Sequence, residues 1–153
     1  MLALGESTDR MLTHPGCMRT PEQYEANVAK IASDEFYSLC AIDPGSGALV
    51  GNAAYFFGSR VKIAHVAGLA MGVLPQWQGI GLGSWLLERS IEDMRNNPKI
   101  LRLDLIVMDG NEHAKAMYER AGFAVEGHRE KAVRQPDGLF DGETMMGMWI
   151  GED

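Results

Sequence analysis

The stretch WQGIGLGSWLLERS, Trp77 to Ser90, places glycine at three alternate positions, Gly79, Gly81 and Gly83, and runs without a break into an amphipathic pattern. One glycine marks a turn; three keep a length of main chain bare, so that a ligand can approach its N–H groups closely. Leu82, Leu86, Leu87, Ile91 and Met94 then share one side at helical spacing, with Glu88, Arg89, Glu92 and Arg95 on the other, until Asn96-Asn97-Pro98 stops the helix. A helix N-terminus carries unpartnered N–H groups and a partial positive charge, so Gly79 to Ser84 form a cradle suited to phosphate oxygens. A tight strand-to-helix turn with no ligand is the other reading that glycines alone allow.

Spacing narrows the ligand. A dinucleotide loop wants GxGxxG, and the third glycine here falls one position early; a Walker loop wants Gly-Lys-Ser/Thr, which is missing. The flanks supply the architecture. Upstream, Thr20 to Ser33 has a helix start and apolar Tyr24, Val28 and Ile31. Phe36 to Ile42 and Ala48 to Phe57 read as a hairpin about the turn Asp43 to Gly47. Val61 to Leu74 reads as one long covered strand closed by Pro75. Downstream come a strand at Ile100 to Met108, a helix from Glu112 to Arg120 closed by Gly122, and strands at Phe123 to Val133 and Thr144 to Ile150. That order predicts an α+β fold with one central mixed sheet.

A length of 153 residues suits a single domain, residues 1–153. With 46% apolar and 23% charged residues, disorder and fibrous architectures are excluded. Fourteen basic against 21 acidic residues give a net charge of −7, and no Lys/Arg run could follow a phosphate backbone, so nucleic acid is not an expected partner. Cys17 and Cys40 form no CxxC pair, and His14, His65, His113 and His128 lack metal-ligand spacing, which points to a reducing compartment and no metal. The opening MLALGESTDR turns polar too early for a signal peptide, and no apolar run approaches the roughly 20 residues of a membrane span. A cytoplasmic protein without membrane contact is the expectation.

Two motifs sharpen the reading. Gln78-Gly79-Ile80-Gly81-Leu82-Gly83, preceded by Val73-x-Pro75, fits Q/R-x-x-G-x-G/A. Asn111-Glu-His-Ala-Lys-Ala-Met-Tyr118-Glu-Arg-Ala-Gly122-Phe123 fits N-x-x-A-x-x-x-Y-E-x-x-G-F. In this order they resemble the acetyl-CoA loop and the second signature of the GCN5-related N-acetyltransferases, the GNAT family. The resemblance implies a GNAT-like, mostly antiparallel mixed sheet with helices on both faces, and acetyl-CoA as cosubstrate. It also implies that Gln78, Gly79, Ile80, Gly81, Leu82, Gly83 and Ser84 hold the pyrophosphate through main-chain N–H groups. The pantetheine arm would pair with the backbone around Met71 and Val73. Asn111 and Tyr118 lie two helical turns apart, roughly 10 Å, with small Ala114 between them. On the resemblance, Asn111 bonds the pantetheine amides along the track that Ala114 leaves, and Tyr118 is the acid that meets the departing thiolate.

Glu126-Gly127 and Arg134-x-x-Asp-Gly138-x-x-Asp141 are similar to the branch that acetylates free amino acids and small amines, so the implied acceptor is the primary amine of a small molecule such as an amino acid. A coenzyme-binding sensor or assembly module without turnover is the alternative; it would keep the glycine loop and lose Tyr118. The general base stays open among Glu126, His128 and Glu130, which alternate onto one strand face, His65 and Asp104, in strands near the expected cleft, and water. Trp77 and Trp85 read as packing residues. The family opens with a strand and a first helix, for which Met1 to Arg19 is too short and too polar. An absent opening strand would leave Phe36 to Ile42 at an exposed sheet edge, where a second copy of the chain could pair as a homodimer.

Overall fold

Apolar alternation bounded by glycine turns produces six strands, and the computed structural model, which describes residues 36–43 and 45–152, joins them in one sheet. In chain order the elements are β1 (Phe36–Ile42), β2 (Leu49–Phe57), β3 (Val66–Val73), α1 (Leu82–Arg95), β4 (Arg102–Met108), α2 (Glu112–Ala121), β5 (Ala124–Arg134) and β6 (Phe140–Trp149). The sheet order is β1-β2-β3-β4-β6-β5, antiparallel throughout except between β3 and β4. This is the expected α+β, mostly antiparallel GNAT-like arrangement. The expected helix at Thr20 to Ser33, the question of an opening strand in Met1 to Arg19, and Cys17 lie outside the described residues.

Register puts one set of side chains on a common face. Tyr37 pairs with Tyr55 and Tyr55 with Leu69; Ala67 pairs with Leu103 and Leu103 with Met148. Both described helices pack on that face. Leu86, Leu87, Ile91 and Met94 from α1, and Tyr118 with Phe123 from the end of α2, join these strand residues in one buried cluster. The buried hydroxyls at its centre are partnered: Tyr55 Oη lies 3.0 Å from Ser90 Oγ, which donates to the Leu87 carbonyl at 2.9 Å.

Three element boundaries differ from the sequence reading by two residues or more. Val61–Ile63 is a short 3₁₀ turn, closed by a bond from the Ile63 N–H to the Arg60 carbonyl, so β3 begins only at Val66. Hydrophobicity alone does not separate this exposed turn from the strand that follows it. β4 starts at Arg102 because the N–H groups of both Leu101 and Arg102 bond the His65 carbonyl. β6 begins four residues earlier than expected, since the turn from Gln135 to Leu139, with Gly138 at φ 88°, lets Arg134 pair with Phe140.

The feature that positions the site is a short ladder. β3 and β4 pair in parallel only at Val66 with Arg102, Ala67 with Leu103 and Gly68 with Asp104. Beyond that third rung no ladder joins them, and the facing edges of residues 69–73 and 105–108 part into a fork. Main-chain groups along such an edge need partners from outside the sheet.

Ser90→Ala strands the buried Tyr55 hydroxyl and should cost about 1–3 kcal/mol, whereas Tyr55→Phe leaves Ser90 bonded to Leu87 and should cost only about 0.5–1.5 kcal/mol. Chemical denaturation of the two variants checks the order, and a larger loss in Tyr55→Phe would contradict it.

Candidate active site

The glycine loop is built by two preceding devices. Pro75 opens a single 3₁₀ turn, Pro75–Trp77, that ends β3, and the Gln78 side chain folds back to donate from Nε2 to the Val73 carbonyl at 2.9 Å. Gly79 and Gly81 then take φ of 77° and 88°, a left-handed conformation that costs an L-residue roughly 1–2 kcal/mol. Open space surrounds both, so the backbone angle and not crowding demands glycine there. The first helical bond runs from the Trp85 N–H to the Gly81 carbonyl at 3.0 Å. The amides of residues 79 to 84, six in a row, have no acceptor among the described residues.

Gly83 differs from its two neighbours. It lies inside α1, and a Cβ there would sit 3.7 Å from Met117 Sδ and 3.8 Å from Val73 Cγ2, ordinary contact distances. The space beside it, where α1 passes α2, has room for a methyl group. Leu82 is half-buried against the core, Ile80 projects outward, and Ser84 keeps its main-chain N–H free. Trp77 packs on the core as expected, but Trp85 is 55% exposed, a departure from the packing role read for it; its place in the first turn of α1 turns it off the sheet.

The fork opens into a cleft of about 550 Å³ whose lining includes Leu69 and Met71 from β3, Leu105 and Val107 from β4, and Asn111 and Tyr118 from α2. Asn111 caps α2, its Oδ1 accepting from the Ala114 N–H at 3.4 Å, which leaves its carboxamide NH₂ available to the cleft. Tyr118 is buried, with its ring edge-on to Phe123 at 6.0 Å, and its hydroxyl has no hydrogen-bond partner among the described residues. Burial, with Tyr55 nearby, pushes its pKa up to about 12, so it stands in the cleft as a neutral phenol that can donate. Val73 and Ala114 are not on the lining. Val73 is buried with its carbonyl taken by Gln78, and Ala114 is partly buried where α2 packs against the core.

Asp104, Glu126 and Arg129 complete the lining on the sheet face away from the helices. Arg102 joins two of them, with Nε 2.7 Å from Asp104 Oδ1 and Nη2 bonded to Glu126; Arg129 bonds Glu143. The expected alternation of Glu126, His128 and Glu130 on one face does not hold. Register shifts at Val125/Gly127 and Arg129/Val133 break it, and His128 bonds Asp109 at 2.9 Å while Glu126 turns to Arg102. His65 sits in the turn before β3, against Trp149, and not on the cleft. Sequence reasoning missed Arg102, Arg129 and Glu143. One signal for the first pair was Gly147 in mid-strand, where any Cβ would run into Arg102 Nη2 and Glu126 as they meet across β6.

Known proteins share this fold. A family model described as Acetyltransferase (GNAT) family matches residues 6–123. The chain is 31% identical over 85 residues to L-amino acid N-acetyltransferase AaaT of Escherichia coli (strain K12), a match covering 56% of this chain and 52% of that protein. It spans about half the length of the curated relatives it matches. The GNAT-family acetyltransferase of Streptococcus pneumoniae superposes with a TM-score of 0.85 at 28% identity, covering 93% of this chain and 84% of that one. Phosphinothricin acetyltransferase (Pat) of Sinorhizobium meliloti, solved in complex with AcCoA, shares the fold with a TM-score of 0.80 at 17% identity, covering 92% and 73%.

Gly81→Ala, forced into the left-handed region, should weaken coenzyme A binding about five- to thirtyfold. Gly83→Ala keeps its N–H and has room for the methyl, so it should stay within about threefold of the parent. Calorimetric titration separates the two, and equal losses would contradict the assignment of roles within the loop.

Proposed function

We propose that this chain, which belongs to the GNAT acetyltransferase family, moves the acetyl group of acetyl-CoA to the primary amine of a small molecule. The observation that supports this most is the six free amides at the start of a 14-residue helix, beside a fork that holds an unpartnered phenol. Negative charge is favoured at a helix N-terminus, and free N–H groups there match a diphosphate. A module that only bound coenzyme would have no use for an unpartnered hydroxyl facing the cleft. The acceptor class follows the relative named an L-amino acid N-acetyltransferase only as far as a small amine. Helices among the described residues are too short or too polar to cross a membrane, in keeping with action on a dissolved metabolite.

The residues divide the work as follows. Gly79 to Ser84 receive the diphosphate. The free edge of β3 past Gly68, around Met71, offers peptide groups to the pantetheine amides, with the Asn111 carboxamide on the opposite wall. Gln78, by holding the Val73 carbonyl, fixes the loop relative to that edge. Acetyl-CoA supplies a thioester carbonyl open to attack. The amine attacks in its neutral form, once its ammonium proton has been lost to water through the open mouth. A carbon–nitrogen bond forms, the carbon–sulfur bond breaks, and one of the two protons on nitrogen ends on sulfur while the other stays on the amide.

Tyr118 contributes a hydrogen bond to the departing sulfur. Its phenol, at about 12, is a weaker acid than a thiol near 8.5, so outright proton donation would run uphill by roughly 3.5 units, about 5 kcal/mol. The hydroxyl is therefore a donor that stabilises charge as it develops, and its proton stays with it.

Tyr118→Phe should lower kcat about ten- to hundredfold, the worth of one hydrogen bond to a charged group, with the Kd for acetyl-CoA unchanged. Undiminished turnover would refute the role. The pH dependence carries a second check. The phenol ionises near 10 when unfolded and near 12 when folded, so its contribution to stability is complete below pH 10 and lost as pH rises toward 12. Activity should show no fall from Tyr118 titration up to pH 10, and such a fall that disappeared in Tyr118→Phe would contradict the assignment.

A further inference from the structure

We infer that the acceptor is a cationic amine with an apolar body and no carboxylate, received by Asp104 and Glu126 on the sheet face away from the helices. This rests on the acetyltransferase reading above and narrows its acceptor.

Placement comes first. Asp104 belongs to the last rung of the β3–β4 ladder, so its carboxylate stands at the floor of the fork. Glu126 reaches the same place because the bulge between Val125 and Gly127 turns it toward Arg102, and because Gly147 leaves a notch in the strand between them. Arg102 holds both acids, yet the carboxyl side chains stay 43% and 45% exposed while the arginine is 27% exposed. An incoming ligand therefore meets the acids before the cation that orients them.

Charge decides what that ligand is. The cleft's ionic side chains and their partners, among the described residues, are three carboxylates, Asp104, Glu126 and Glu143, and two guanidiniums, Arg102 and Arg129. The surplus is one negative charge. Arg129 is the guanidinium on the lining, and it is committed: Glu143 is 5% exposed, and losing its partner would leave a buried anion unpaired. A substrate carboxylate thus finds no free cation on the cleft lining among the described residues, and it meets two carboxylates at the fork floor. An ammonium group finds the surplus. Between these charges the same face is apolar, with Phe56 and Ile106 partly exposed and only Gly68 and Ala70 on the β3 side, which leaves space for a hydrocarbon or aromatic body.

The matched probes are 2-phenylethylamine and L-phenylalanine, which differ by one carboxylate. Thiol release from acetyl-CoA by the full chain is compared on the concentration of neutral amine, alongside calorimetric binding of acetyl-CoA. The expected result is a kcat/KM at least tenfold higher for the amine. Asp104→Asn with Glu126→Gln should shrink that ratio to within about threefold by raising KM for the amine, with KM for acetyl-CoA unchanged. Should the double variant not fold, Glu126→Gln on the edge strand alone should shrink the ratio in the same direction. Equal use or preference for the amino acid overturns the inference and leaves the acetyltransferase reading intact, as does a ratio indifferent to the substitutions. Binding of acetyl-CoA with neither probe consumed overturns it too, and failure of acetyl-CoA to bind sinks both readings.

Discussion

Six peptide N–H groups in succession, all without a protein acceptor, are the constraint to which the rest of this fold answers. A helix always begins with orphan donors, but most helices cap some of them with a side chain. Here the cap position is Gly81, which has no side chain to offer, and the two residues before it add donors of their own. The loop keeps that geometry through glycine angles, the Pro75 turn and the bond from Gln78 to Val73. Leu86 and Leu87, wholly buried against β2 and β3, hold the helix behind it. The result is a fixed positive end aimed outward, ready for an anion without rearrangement.

The second half of the site follows from the ladder that stops. Had β3 and β4 paired along their full length, the sheet would be closed and Tyr118 would be one more aromatic residue in a core. Because pairing ends at Gly68 and Asp104, the sheet is open from both faces. The helix face offers Tyr118 and Asn111; the opposite face offers Asp104 and Glu126. The opening where the strands part can thus be reached from opposite sides of the sheet. The space beside Gly83 faces Met117, so the anion cradle lies next to the helix that carries Tyr118.

Much of this was legible in the residues. The loop, the helix behind it and the strand boundaries at Phe36, Ile42, Phe57 and Met108 follow from glycine, proline and apolar spacing, and the signature around Asn111 and Tyr118 announced the second motif. What stayed hidden depends on long-range register. The bulge that separates Glu126 from His128 arises from pairing with β6, and strand alternation read from β5 alone puts them on one face. Arg102 bridges to an acid 24 positions away, over a glycine whose role appears only when three strands lie side by side. Val61–Ile63 shows the limit of hydrophobicity as a guide, since the same residue types that build β3 form an exposed turn just before it. Gly83 was grouped with two glycines of different purpose, because spacing does not reveal φ.

The most direct test of the central claim is amide hydrogen exchange at residues 79 to 84, measured by NMR with and without coenzyme A. If these groups grip a diphosphate, their exchange slows on binding and their resonances shift together, while 3′,5′-ADP, which lacks the pyrophosphate bridge, protects them less. Saturation by coenzyme A with these six amides unprotected would contradict the account.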